Sequence, residues 1–243
     1  MDKTQLNAHL SDVKFSDLPL LPELQSAISE MGFELCTPIQ AKTLPISLEG
    51  RDIAGQAQTG TGKTAAFLLA AFQHLINHPK PNKNNRNQSQ VRFVILAPTR
   101  ELAIQIAKDA DALSKNTELK IALAYGGTGY DKQQKAIEAG VDVLIGTPGR
   151  IIDYWKKKVF SLHECQGLVL DEADRMLDLG FIQDIRFLLR RLPDPTKRLS
   201  MMFSATLSHR VMELSYEHMN QPEKLEIKAE AVNTKKIDQH VYY

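Results

Sequence analysis

Ala57-Gln58-Thr59-Gly60-Thr61-Gly62-Lys63-Thr64 decides how the rest of the chain reads. A short, mostly apolar segment, Asp52 to Gln56, precedes it, and a helical pattern, Ala65 to Phe72, follows. Strand, glycine-rich turn and helix is the setting in which a backbone cradles phosphate. Glycines let the chain curl so that several N–H groups face one concavity. The start of the helix adds unpaired N–H groups and the positive end of its dipole. In this reading Lys63 reaches the β- and γ-phosphates of a nucleotide, and the Thr64 hydroxyl sits on Mg²⁺. The general pattern opens with glycine, whereas here that position is Ala57. The alternative, a loop merely rich in Thr and Gly, is disfavoured because Gly-Lys-Thr falls at the strand-to-helix junction that phosphate binding requires.

Working outward, 243 residues allow one large domain or two small ones with a substantial core. The net charge of +1 excludes a protein that coats nucleic acid by bulk charge, so any such site must be a local patch. Cys36 and Cys165 lie far apart and form no metal-type pair, which suits a reduced, cytoplasmic setting. Met1 to Asp12 is polar and unlike a signal peptide, and no apolar run approaches the roughly 20 residues of a membrane span.

Residues 1–14 read as a loosely held segment, 15–230 as the folded domain. A helix is expected from about Leu21 to Met31, ended by Gly32. Thr37-Pro38 is a helix start, which puts Gln40 near the helix mouth. A glutamine amide offers a donor and an acceptor on one plane, matching adenine N6 and N7. Alone, Gln40 is a solvated helix residue. Upstream of a phosphate loop it becomes a candidate base reader, with Phe33 as a stacking face. His78 to Gln90 lacks apolar periodicity and reads as a surface insertion carrying Lys80, Lys83 and Arg86.

Buried strands are expected at Val91–Ala97, Leu119–Tyr125, Val141–Ile145, Gly167–Leu170 and Leu199–Phe203, with a last one at Lys224–Lys228. Helical patterns fill the gaps. Strands alternating with helices argue for an α/β fold with a mainly parallel sheet covered on both faces. Every unusual sequence falls at a strand's carboxyl end, the rim where such sheets bind ligands.

At that rim Asp171 follows an apolar strand, where an acid is the usual second anchor for Mg²⁺. Glu172 is placed to orient or deprotonate an attacking water. Asp174 can hydrogen-bond another element, and Ser204 and Thr206 offer hydroxyls at a strand end. The plain reading of those two is a cap for the helix beginning near Ser208. Pro98-Thr99-Arg100, Gly126-Gly127 and Thr147-Pro148-Gly149-Arg150 form a second set. Exposed N–H groups joined to a hydroxyl or guanidinium suit phosphate and sugar contacts. The absence of an obvious aromatic ladder favours backbone recognition over base stacking. Each arginine alone reads as a surface ion pair.

Taken together, these motifs resemble the first RecA-like domain of DEAD-box RNA helicases, over about residues 15 to 230. Phe33 through Gln40 resembles the family's Q motif. Ala57 to Thr64 is similar to its Walker A loop, in which alanine commonly comes first. Pro98 to Leu102, Gly126-Gly127 and Thr147 to Arg150 are similar to its RNA-contacting motifs, and Asp171 to Asp174 and Ser204 to Thr206 to motifs II and III. Gly129 to Gln133 and Asp178 to Phe181 resemble a bacterial branch working beside the RNA-degrading machinery.

The resemblance implies a three-layer RecA-like P-loop fold, ATP and Mg²⁺ as ligands, and RNA as partner. It implies that Phe33 and Gln40 hold adenine, while Ala57, Gln58, Thr59, Gly60, Thr61, Gly62, Lys63 and Thr64 enclose the phosphates. Thr64 and Asp171 would hold Mg²⁺, and Glu172 would be the general base, with Asp171 and Lys63 beside it. Asp174, Ser204 and Thr206 would couple the ATP site to RNA. Pro98, Thr99, Arg100, Gly126, Gly127, Thr147, Pro148, Gly149 and Arg150 would follow the RNA backbone. It further implies a second RecA-like domain carrying the arginines that reach the γ-phosphate. Nothing after Thr206 resembles that domain, and residues 231–243 read as the start of an interdomain linker. The expectation is therefore an excised half that binds nucleotide and hydrolyses it poorly. Contacts with the RNA-degradation machinery are expected on the absent domain. A nucleotide-dependent RNA clamp without turnover is the competing reading.

Overall fold

The computed structural model describes residues 10–79, 89–127 and 129–227. Lys80, Lys83, Arg86 and the expected linker lie outside them, as does most of the amino-terminal segment expected to be loose. From Ser11 onward that segment is tied down. Ser11 N–H donates to Cys36 O at 2.8 Å and Cys36 N–H to Val13 O at 2.8 Å, and Lys14 forms an antiparallel bridge with Leu35. Polar composition suggested looseness, but the extended backbone finds a second extended stretch to pair with.

Seven strands form the main sheet: β1 Ile53–Gln56, β2 Phe93–Leu96, β3 Ile121–Ala124, β4 Val143–Gly146, β5 Gly167–Leu170, β6 Leu199–Ser204 and β7 Glu223–Glu226. Their spatial order is β3-β4-β2-β5-β6-β1-β7, and every neighbouring pair is parallel. All seven carboxyl ends therefore share one rim. The helices are α1 Pro22–Glu30, α2 Pro38–Leu48, α3 Lys63–Asn77, α4 Arg100–Leu113, α5 Tyr130–Glu138, α6 Pro148–Lys156, α7 Ala173–Asp178, α8 Ile182–Leu189 and α9 His209–His218.

Strands covered on both faces are apolar at nearly every position, and β2 shows why their sequences read as unbroken runs. Phe93 and Ile95 join a core with Leu24, Ile39, Phe67 and Ile106, from α1 to α4. Val94 and Leu96 join the opposite core with Ile137, Ile151, Met176 and Val211, from α5, α6, α7 and α9. The sheet approaches itself closely at Gly167, where an added Cβ would fall 2.1 Å from the Phe93 ring.

The amino edge is fastened by buried polar groups. Arg92 Nη1 lies 3.2 Å from Asp142 Oδ1, and Arg92 Nη2 donates to Leu75 O at 2.7 Å. Asp52, just before β1, accepts from Ser200 N–H at 2.7 Å and Asn220 N–H at 2.8 Å. One carboxylate thus joins β1, β6 and the turn leading to β7.

Candidate functional site

The phosphate loop joins β1 to α3, as its sequence requires. Gly60 and Gly62 take φ of +79° and +89°, a region that costs a side-chain-bearing residue strain. In the loop's centre Lys63 Nζ donates to Ala57 O at 2.8 Å, so the ammonium is held within the curl. A cavity of about 350 Å³ opens over it. Thr59, Gly60, Gly62, Lys63 and Thr64 line one side, Asp171 and Glu172 another, and Phe33 and Gln40 a third. Gln58 and Thr61 do not line it, and the Thr61 hydroxyl donates to Gln58 O at 2.8 Å.

Gln40 does more than its position suggested. It is the third residue of α2, and its Oε1 accepts from Thr37 N–H at 2.8 Å, securing the helix start. Its Nε2 donates to Gly62 O at 3.0 Å, joining α2 to the phosphate loop. The amide is thus fixed in plane, with one N–H and the remaining oxygen lone pair left for a base. Phe33 is 45% exposed on the cavity wall, as a stacking face needs to be.

Asp171 stands at the end of β5 and is 2% exposed. Burial pushes its carboxyl up to about 6, against the opposing pull of Lys63. Its Oδ1 accepts from Glu172 N–H at 3.0 Å. Glu172 adopts φ 52° and ψ 52°, a left-handed conformation that costs a non-glycine residue on the order of 1–3 kcal/mol. That turn keeps its carboxylate on the cavity wall, where Arg175 Nη1 lies 3.2 Å from Oε2. Among the described residues no group of three or more His, Cys, Asp or Glu could hold a metal alone. One hydroxyl, from Thr64, and one buried carboxylate, from Asp171, instead suit a hard ion that takes its other ligands from phosphate and water.

β6 lies between β1 and β5, so its end touches both halves of the cavity. Ser204 O accepts from Ala57 N–H at 3.0 Å, while Ser204 Oγ accepts from Asp174 N–H at 3.2 Å. Asp174 Oδ2 accepts from Thr206 N–H at 3.0 Å and from the Thr206 hydroxyl at 3.2 Å. The helix-cap reading of Ser204 and Thr206 fails, because Ser208 Oγ performs that task by accepting from Val211 N–H.

The second set occupies the same rim above β2, β3 and β4. The Thr99 hydroxyl oxygen caps α4 by accepting from Leu102 N–H at 3.3 Å. Pro98 and Pro148 are buried, whereas Arg100, Gly126, Gly127 and Gly149 are exposed and Thr147 and Arg150 half-buried. The aromatic support that the sequence did not disclose is present: Arg100 stacks on Tyr125 at 4.9 Å, and Arg150 on Tyr130 at 4.8 Å and Tyr154 at 5.5 Å. Tyr130 and Tyr154 are distant in sequence, and only the packing of α5 on α6 brings them together. The cavity also exposes Gln105 and Asp109 of α4, polar residues in an ordinary helical pattern that carried no signal of their own.

A parallel three-layer sheet with a phosphate loop on one strand and an acidic pair two strands away defines a RecA-like phosphate-loop nucleotide-binding domain. The chain belongs to the DEAD/DEAH box helicase family, whose description matches residues 37–214. It is 59% identical to the ATP-dependent RNA helicase RhlB of Shewanella sp. (strain MR-4), over 97% of this chain and 53% of that protein. The RhlB helicase of Shewanella baltica (strain OS155) is 58% identical over the same shares. The crystal structure of a DEAD box protein from the hyperthermophile Methanococcus jannaschii is 36% identical, with a TM-score of 0.78 over 88% of this chain and 56% of that one. The chain spans about half the length of the curated relatives it matches. Among the described residues no helix is long and apolar enough to cross a membrane.

Proposed function

We infer that this chain is the ATP- and RNA-binding half of an ATP-dependent RNA helicase that opens short RNA duplexes in the cytoplasm, in the service of RNA decay. The observation that carries the reading is the single cavity in which Lys63 and the buried Asp171–Glu172 pair face one another. Adenine stacks on Phe33 and meets the free N–H and lone pair of Gln40. The phosphates enter the loop, and Lys63 exchanges the Ala57 carbonyl for their oxygens. Thr64 and Asp171 would hold Mg²⁺, which would supply charge neutralisation for the phosphates. Glu172 takes the proton of the attacking water as its oxygen bonds to the γ-phosphorus and the bridging oxygen leaves with ADP. Asp174, Ser204 and Thr206 relay occupancy of this cavity to the RNA-facing rim, where Thr99, Arg100, Gly127, Thr147 and Arg150 hold the backbone.

No arginine lines the cavity among the described residues. An arginine delivered to the γ-phosphate is worth roughly 10³–10⁵ in rate in related hydrolases, and the second RecA-like domain of the full helicase would deliver it. The test is steady-state ATP hydrolysis by residues 1–243, with and without single-stranded RNA, beside Glu172→Gln. Near-background rates that rise when the second domain is supplied support the reading. A robust RNA-stimulated rate from this chain alone would overturn the division of labour. A clamp without turnover is disfavoured by Glu172, a base such a clamp does not need; ATP consumption by the two-domain protein that is unchanged in Glu172→Gln would restore that alternative.

A further inference from the structure

Lys157 follows directly on α6 and is exposed. Its Nζ lies 4.3 Å from the centre of the Tyr130 ring, the ring on which Arg150 is stacked at 4.8 Å. Two cations from opposite ends of one helix therefore converge on one tyrosine. Among the described residues neither makes an ion pair, although Lys157 interacts first with the Tyr130 side chain and then with the field of Asp153, one turn back on α6, and Arg150 Nη1 donates to the Tyr154 hydroxyl at 3.4 Å. Tyr130 is itself fixed, because its carbonyl accepts from the Tyr154 hydroxyl at 2.8 Å and its ring packs on Tyr154 at 4.8 Å. Asp153 offsets part of this charge, and two cations sharing one ring still present a surface that favours an anion. Thr147, Pro148 and Gly149 lead into α6 directly before Arg150.

We propose that Lys157, with Tyr130 as its platform, binds a phosphodiester of single-stranded RNA and extends the backbone track past Arg150 along α6. The proposal rests on the RNA-binding reading above. Its ligand is one phosphate, so it confers affinity and leaves sequence preference unchanged. The bland account is that Lys157 merely complements the carboxyl end of the α6 dipole.

The two accounts separate in a salt titration. Fluorescence anisotropy of labelled U12 and A12 RNA would be followed with residues 1–243 between low and physiological salt, for wild type, Lys157→Ala, Lys157→Arg and Arg100→Ala. Lys157→Ala is expected to weaken both RNAs about twofold to fivefold, the scale of one exposed charge contact. It should reduce the slope of log affinity against log salt by about 0.7, the value for one single-strand phosphate contact. Lys157→Arg should keep the wild-type slope. If Lys157→Ala lowers Tm but leaves the slope intact while Arg100→Ala reduces it, Lys157 is a helix-end lysine and the proposal falls. If wild type shows no salt-dependent RNA binding and Arg100→Ala changes nothing, the RNA-binding reading falls and takes the proposal with it.

Discussion

Gln40 serves two masters, and its substitution should show both. Gln40→Ala removes the N–H aimed at the base and both internal hydrogen bonds, to Thr37 N–H and Gly62 O. ADP affinity is expected to fall by about tenfold or more, and GDP affinity, which feels only the lost tie to the phosphate loop, by far less, since one lost hydrogen bond that leaves a partner unpaired is worth about 1–3 kcal/mol. Calorimetric titration with both nucleotides checks this; equal losses would remove Gln40 as the base reader. Asp171 offers a test with a definite sign. Its folded-state carboxyl is raised to about 6 by burial, above the ordinary carboxylate range of the unfolded chain. The folded state therefore holds the proton more tightly, and stability falls as pH rises from about 4 to about 6. Asp171→Asn should stabilise the nucleotide-free protein by about 1–3 kcal/mol at pH 7.5, at 1.36 kcal/mol per pKa unit. That gain should shrink towards zero near pH 4, while Mg²⁺-dependent nucleotide binding is lost. Urea melts across that pH range report the first effect and a nucleotide titration the second.

At the scale of elements, the junction between α2 and α3 is the sensitive one. A Cβ on Gly62 would lie 2.6 Å from Gln40 Nε2 and 2.9 Å from Thr37 Oγ1, at a φ of +89°. Gly62→Ala is therefore expected to cost about 1–2 kcal/mol of stability for the left-handed backbone alone and to displace Gln40. Its effect on ADP binding should not add to that of Gln40→Ala, because both break the same contact; a double-mutant cycle measures this. The link between α7 and β6 is tested by Thr206→Val, which removes the hydroxyl contact to Asp174 and keeps the backbone one. Nucleotide affinity should hold while RNA stimulation of the two-domain protein drops. An unchanged stimulation would exclude the relay.

These elements differed in how openly the sequence declared them. β2 and β5 were legible because a sheet covered on both faces demands apolar residues throughout, and the glycine-rich loop because its backbone needs few residue types. α7 has six residues, too few to show a period. The spacing of Thr37 and Gln40 fits a helix cap as well as a base contact, and spacing alone does not separate the two uses. Tyr154 stands one turn from Arg150 on α6, a spacing visible in the sequence, whereas Tyr125 and Tyr130 are brought to Arg100 and Arg150 only by the packing of distant elements.

For the molecule as a whole, the amino edge of the sheet bears a buried charge pair far from any ligand. Removing only Arg92, as in Arg92→Met, would leave Asp142 buried without its guanidinium, and breaking one side of a buried pair costs about 3–5 kcal/mol. The expected result is a large drop in Tm with loss of all binding in parallel, unlike the selective losses at the carboxyl rim. The outermost strand has a different importance. β7 presents Glu223, Lys224 and Glu226 to solvent and covers one whole side of β1, the strand that carries the phosphate loop. Charged side chains on an outer strand discourage stacking with other copies. A shortened version ending before Glu223 would uncover Ile53-Ala54-Gly55 as a sticky seam. Anyone trimming this domain for crystals or assays should see clumping appear abruptly at that boundary, with the chemistry of the cavity still intact in whatever stays in solution.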